Sequence, residues 1–314
     1  MGESCGEFLE GAMILLTIWP LFGLICFGGF LAWRGFPEAG FWPSAERLNY
    51  FILFPALLLS SLADAPVRDP AILQLGLAVV VTIGLGSIIL FGLRLVRPMP
   101  AARFGPWFQG GVRFNTYLGL AITASLAGAG GLERAAVLLA VAVPLVNVLS
   151  IIALSKDGAA RRPIALLRMI LVNPLILACI AGITIALTEV GLPFGLDRFF
   201  SLLGQGSLLL GLLCVGAALR PSALRRDWGE LATNSIFRLF AMPALALGVA
   251  RAMQLDGVEA LVLVIFCALP TAPTAYVLTQ QFGGDGRFMA GLVTGQTMLA
   301  VVTIPLMLWL MGFA

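Results

Sequence analysis

Two short stretches of this chain hold the polar groups that could handle a solute. RFNTYLGL sets Arg113, Asn115, Thr116, Tyr117 and Gly119 into one apolar run, and ALPTAPTAY sets Pro270, Thr271, Pro273, Thr274 and Tyr276 into another. Both mix helix-breaking residues with amide, hydroxyl or phenol groups. Backbone groups freed by such a break must be satisfied within the bilayer, so breaks persist only where protein or a water-filled cavity surrounds them. If the two breaks cross near the membrane midplane, half-helix N-termini direct partial positive charge at a shared cavity, and an anion fits there. Asn115, Thr116, Tyr117, Thr271, Thr274 and Tyr276 are the candidate substrate contacts; Gly119, Pro270 and Pro273 are the candidate shapers of the crossing. The alternative for either break alone is a kink packed against its neighbours, with Thr and Asn capping it.

Arg238 lies in the apolar run SIFRLFAMPALAL, where a charge costs at least ~2.5 kcal/mol and needs a partner or water. Two readings stay open: a group in the solute pathway, or a side chain that snorkels or caps carbonyls of a neighbouring helix. Asn49, Gln205 and Gln296 are further polar residues on apolar stretches, each read first as an interhelical hydrogen bond and second as support for the site. The acids Glu46, Asp64, Glu133, Glu189, Glu230 and Glu259 fall at the ends of apolar runs. No buried carboxylate is therefore expected for a proton relay. With no histidine in the chain and no acid within a span, only a Ser/Lys hydrolase remains possible, and the one lysine, Lys156, falls in a loop, so no enzyme activity is expected. The five cysteines have no metal-site spacing and read as small core residues. No metal or other cofactor is expected.

The elements that must carry these residues are membrane helices. Of 314 residues, 60% are hydrophobic and 11% charged, with a mean hydropathy of +1.01, well outside the range of soluble domains. A net charge of +3 is too small to suggest a nucleic-acid partner. A helix needs roughly 20 apolar residues to cross a ~30 Å hydrocarbon core. Ten stretches qualify: 11–33, 45–63, 70–95, 108–127, 132–154, 164–188, 196–219, 229–250, 258–280 and 287–311. The acidic start, with no basic n-region, reads as a retained first helix and no signal peptide. Arg34, Arg47, Arg94, Arg97, Arg103, Lys156, Arg161, Arg162, Arg220, Arg225, Arg226 and Arg287 share one side, against Arg68, Arg134, Arg198 and Arg251 on the other. The positive-inside rule then puts both termini outside the cell membrane.

The chain also looks duplicated. WPL at Trp19 and NPL at Asn173 lie 154 residues apart, GGLER and GGDGR nearly so, and the two polar stretches share that offset. Five spans per half force the second half, 157–314, to enter upside down relative to the first, 1–156. Inverted repeats with interrupted helices in matching places point to a secondary transporter. The expected fold is all-α integral membrane, two inverted five-helix repeats with broken helices 4 and 9 crossing.

LNYFILFPALLLSSLA, RFNTYLGLAI, NPLILACIAGI, VGAAL, FRLFAMPAL and ALPTAPTAYVLTQQFGGD together resemble the auxin efflux carrier family, over nearly the whole chain. The resemblance implies an inverted repeat of the type also seen in bile-acid and sodium/proton carriers. It further implies a scaffold (helices 1, 2, 6, 7), a moving transport unit (helices 3–5 and 8–10) and a homodimer. It assigns Asn115 to the substrate carboxylate and Pro270 to the second crossover. The chain departs from the plant pattern at Tyr117, Leu118 and Gly119, where a proline is expected, so the first break is assigned to glycine.

The expected function is export of a small organic anion, a carboxylate, by alternating access in the inner (plasma) membrane, with the lipid bilayer as surroundings. One negative charge moved outward across 100 mV releases roughly 2.3 kcal/mol, enough to drive export without a proton relay. The alternatives are a sodium-coupled organic anion symporter of the bile-acid type and a receptor that binds without transport.

Overall fold

A computed structural model describes residues 2–38, 40–155 and 173–313. Among the described residues the chain is helical, with no strand. The elements are α1 (Gly2–Trp33), α2 (Phe41–Leu48), α3 (Phe54–Ala63), α4 (Pro70–Val96), α5 (Ala101–Val112), α6 (Thr116–Leu154), α7 (Pro174–Thr188), α8 (Leu196–Ala218), α9 (Trp228–Ile236), α10 (Met242–Ala252), α11 (Gly257–Ala268), α12 (Thr274–Gln281) and α13 (Gly286–Leu310). Among the described residues six stretches are long and apolar enough to cross a membrane: Met13–Trp33, Pro70–Val96, Ala101–Leu154, Leu196–Ala218, Trp228–Ala252 and Gly286–Leu310. The start of the expected sixth span, the boundary between 156 and 157, and Lys156, Arg161 and Arg162 lie outside the described residues. Leu73, Leu77, Ile88 and Val302 are exposed, an apolar outer surface of the kind a bilayer covers.

Helix interruptions follow the sequence chemistry. α6 is 39 residues long, about 58 Å if straight, far more than one ~30 Å crossing. Gly128, at φ 59° and ψ −150°, bends it where an L side chain would be strained. Pro55 and Pro243 each follow a π-helical segment, Asn49–Leu53 between α2 and α3 and Phe237–Ala241 between α9 and α10. A proline has no N–H for the carbonyl four residues back and clashes with it, and widening the preceding turn relieves both.

Loop-level ion pairs tie the helix ends together. Arg103 at the start of α5 reaches Asp227 at 3.2 Å and Glu230 at 2.9 Å beside α9, and Asp285 at 2.8 Å before α13. Arg134 pairs with Glu259, and Arg68 with Glu189 at 3.1 Å, at the other ends of their helices.

α1 packs along α8, and α3 packs against α7 and α8. Small residues set these distances. A Cβ added at Gly28 of α1 would meet the Leu213 backbone of α8, its Cα at 2.7 Å; one added at Gly182 of α7 would meet Leu59 O of α3 at 3.1 Å. The two glycines are 154 residues apart, and so are the two leucines. Backbone cannot give way as a side chain can, so Gly28→Val is expected to push α1 from α8 at a cost of about 1–3 kcal/mol. A lower melting temperature in detergent checks this; an unchanged one means α1 and α8 are not held by this contact.

Candidate functional site

The first break spans Arg113 to Asn115. Asn115 sits at φ −79° and ψ 101°, and its Oδ1 accepts from the Leu118 N–H at 3.2 Å, capping the new helix α6. That acceptor satisfies an amide at the helix start that has no partner within the helix. The break is thus made at Arg113–Asn115 and capped by asparagine. Gly119, to which the sequence assigns the break, lies instead within α6. A Cβ there would come within 2.6 Å of Leu269 Cδ1 and 2.8 Å of Phe266 Cε1, so Gly119 lets the end of α11 approach.

The second break runs from Leu269 to Pro273. The Asn115 backbone N–H donates to Pro270 O at 2.8 Å, so the two interruptions touch directly. Asn115 is fully buried, and its Nδ2 has no hydrogen-bond partner among the described residues.

Buried side chains from elsewhere donate to carbonyls near the end of α5; those of Gly110 and Gly111 lie in the last turn, where the helix supplies no partner, and that of Gln109 also accepts from the Arg113 N–H at 2.9 Å. Asn234 Nδ2 donates to Trp107 O at 2.7 Å, Thr271 Oγ1 to Gln109 O at 3.3 Å, and Gln296 Nε2 to Gly110 O at 3.1 Å. Arg238 Nη1 donates to Gly111 O at 3.4 Å, while its Nε reaches Leu269 O at 2.6 Å and its Nη2 reaches Phe266 O at 2.7 Å at the end of α11. Of the two readings left open for Arg238, carbonyl capping is the one the geometry supports. It is 1% exposed, and its charge faces the negative ends of two helices.

Beyond the breaks lies a cavity of about 610 Å³. Its wall includes Arg113, Asn115, Thr116 and Tyr117 from the first break and Pro273 and Thr274 from the second. The starts of α6 and α12 therefore both border it, each carrying the partial positive charge of a helix N-terminus. Arg113 adds a full charge. Among the described residues its guanidinium has one hydrogen bond, a long 3.5 Å contact to Gln109 Oε1, and no carboxylate within 4.0 Å. Glu46, Arg47, Tyr50, Asn147 and Asn173 complete the polar lining, and Arg47 and Gln281 are exposed at its edge.

Several sequence candidates stand elsewhere. Thr271 is not in the lining: its N–H donates to Gln296 Oε1 at 2.9 Å and its hydroxyl to Gln109. Tyr276 is 41% exposed, outside the lining, and its hydroxyl accepts from Gln280 Nε2 at 3.1 Å. Gln205 is exposed, whereas Asn49 is buried and donates to Ser207 O at 3.1 Å. Pro270, Gly119, Gln296 and Arg238 hold the crossing from behind.

The sequence places Glu46 at the end of an apolar run, and the structure sets it in the cavity wall. It lies near the end of its helical run, yet the cavity extends from the breaks to that end and includes it. Arg113 was visible beside Asn115, but its lack of an acidic partner was not. Asn147, polar within the apolar run AVPLVNVLS, was the overlooked signal.

The profile of the family described as "Membrane transport protein" matches residues 13–308. A protein of Rhizobium meliloti (strain 1021) described as "Putative malonate transporter" is 26% identical over 314 residues, covering 95% of this chain and 96% of that protein.

Proposed function

The chain belongs to the membrane transport protein family, that of the auxin efflux carriers, and on that premise we propose that it is a secondary carrier of a small organic anion. One observation carries the choice of an anion: the cavity where the two breaks meet is lined by Arg113, which has no acidic partner among the described residues, by Asn115, whose buried Nδ2 is left without a partner among them, and by the starts of two helices. Every one of these groups favours negative charge. A carboxylate matches their spread of donors, and the name of the Rhizobium meliloti relative makes malonate the first probe. Asn115, Thr116, Tyr117 and Thr274 are the proposed contacts.

The mechanism proposed is alternating access by two inverted five-helix repeats, ten crossings in all. The Gly28·Leu213 and Gly182·Leu59 contacts support it, since exchanging the halves by 154 residues turns one into the other. The helices fall into a scaffold (the first, second, sixth and seventh crossings) and a moving unit around the two breaks, within a homodimer. The cavity edge at Arg47 and Gln281 leads to the side of Arg103, Asp227 and Asp285, where Arg94, Arg97, Arg220, Arg225 and Arg226 gather. By the positive-inside rule that side is cytoplasmic, both termini are outside, and the cavity faces inward, as an exporter loading its cargo requires.

The test is malonate counterflow in proteoliposomes, run with and without sodium. Asn115→Ala loses a buried donor to a charged ligand, about 1.5–3 kcal/mol, so its apparent affinity is expected to fall at least about tenfold with folded protein retained. Unchanged kinetics would remove Asn115 from the site. A strict sodium requirement would replace this reading with a symporter.

A further inference from the structure

Among the described residues lining the cavity there is one acid, and an acid is an uneasy neighbour for a bound anion. Glu46 comes from α2, with Arg47 and Tyr50 following it on the same helical run. The Tyr117 hydroxyl of α6 donates to Glu46 Oε1 at 3.4 Å, and the Cys214 thiol of α8 lies within hydrogen-bond reach. Arg113 lines the same cavity and is not within 4.0 Å of the Glu46 carboxylate, nor is any other described cation. Among the described residues the lining therefore holds one acid and two arginines, Arg113 within and Arg47 exposed at the edge, and no direct ion pair joins the acid to either.

A carboxylate substrate drawn to Arg113 and Asn115 enters the same 610 Å³ space as Glu46. Two carboxylates sharing a site cannot both stay ionised cheaply, and protonating one relieves the repulsion. The substrate, held by Arg113 and two helix starts, keeps its charge more easily than Glu46, whose neighbours are a phenol and a thiol. We infer that Glu46 is a proton-binding site linked to substrate binding: as the anion enters the cavity, the Glu46 carboxylate takes up one proton from water. This rests on the anion-carrier reading above. No other bond is made or broken. The protonated acid keeps one oxygen as acceptor for Tyr117 and presents a new O–H to the cavity, turning a repelling group into a donor.

The sign of the pH dependence follows. Anion binding and protonation favour each other, so affinity is highest and flat in acid, where Glu46 is protonated before the anion arrives. Affinity falls as pH rises through the range where only the loaded protein holds the proton, by at most tenfold per pH unit for a one-proton linkage. It is flat again where Glu46 is ionised in both states. With the cavity facing the cytoplasm, an acidified cytoplasm would load the carrier.

Calorimetric titration of the purified protein with malonate, malate and acetate at a series of pH values from about 5 to about 9, in buffers with different heats of ionisation, reads the protons taken up per anion across the window. The wild type is expected to take up at most about one proton per anion inside the window and none on either side of it. Glu46→Gln is expected to take up none beyond what the free ligand accounts for, and to show one acid-like affinity at every pH. If Glu46→Gln does not fold, Tyr117→Phe decides, because losing the O–H given to the carboxylate should move the pH window upward; an unmoved window overturns the inference. Wild-type binding without proton uptake at any pH of the series, or equal uptake by Glu46→Gln, overturns it while leaving the carrier reading intact. If none of the three acids binds to folded wild type, the carrier reading falls and this inference with it.

Discussion

Arg113→Gln is expected to weaken malonate binding about 100-fold while leaving the empty protein as stable as the wild type, or more so. The two effects have one cause. Arg113 borders the cavity with no carboxylate within 4.0 Å among the described residues and one long hydrogen bond to Gln109. A charge held away from bulk water without a counter-ion costs folding energy, so neutralising it relieves the empty state. The loaded state loses a charge-assisted, bidentate partner for the carboxylate. Hydrogen bonds to charged groups are worth about 1.5–3 kcal/mol each, and losing about 3 kcal/mol raises Kd roughly two orders of magnitude. Arg113→Lys keeps the charge but not the fork, and should recover only part of the affinity. Equilibrium binding with thermal melts of the empty proteins checks both halves. Near-wild-type affinity in Arg113→Gln would remove Arg113 from the anion site, and a much lower melting temperature would make it a structural residue instead.

How much of this was legible in the sequence depends on what kind of fact is asked for. Where the chain must break was legible, because glycine, proline and polar residues inside apolar runs have few other uses, and the breaks fall at 113–115 and 269–273. Which face a residue presents was less so. Thr274, Val277, Leu278 and Gln281 line the cavity at the spacing of one helix face, and Tyr276, two residues beyond Thr274, points about 200° around the helix from it. That periodicity could be read only once the start of α12 was known to border the cavity. Thr271 failed for another reason: it sits in the break itself, where freed backbone groups bind it to Gln296 and Gln109 before any ligand can. The roles of Arg113 and Glu46 turn on tertiary partners. An arginine paired with an acid from a distant helix and one left facing a cavity are the same letter.

Arg238 shows the opposite outcome of burying the same side chain, and its removal should be the most damaging single change to the fold. Its guanidinium donates to Leu269 O, Phe266 O and Gly111 O, joining the end of α11 to the end of α5. Replacing it with methionine deletes a buried charge, which alone would favour folding. Three carbonyls at two helix C-termini then lose their donor where water does not reach, at about 1–3 kcal/mol for each group left unsatisfied. Interhelical hydrogen bonds inside membranes are weaker, about 0.6–2 kcal/mol each, so the net loss expected is about 2–5 kcal/mol. The carbonyl term wins because the charge was already matched to two negative helix ends. Lysine should rescue poorly, since a single ammonium cannot span carbonyls that a planar fork reaches from separate nitrogens. A clear drop in the melting temperature of Arg238→Met, with malonate binding lost in parallel, is the expected result. The binding loss follows because Asn115 is fixed through Pro270 O at 2.8 Å, one residue from the Leu269 carbonyl that Arg238 holds. A variant that melts like the wild type and still binds would mean that the crossing is held by Gln296, Asn234 and Thr271 without the arginine. The contrast with Arg113 would then have to come from the cavity and not from the caps.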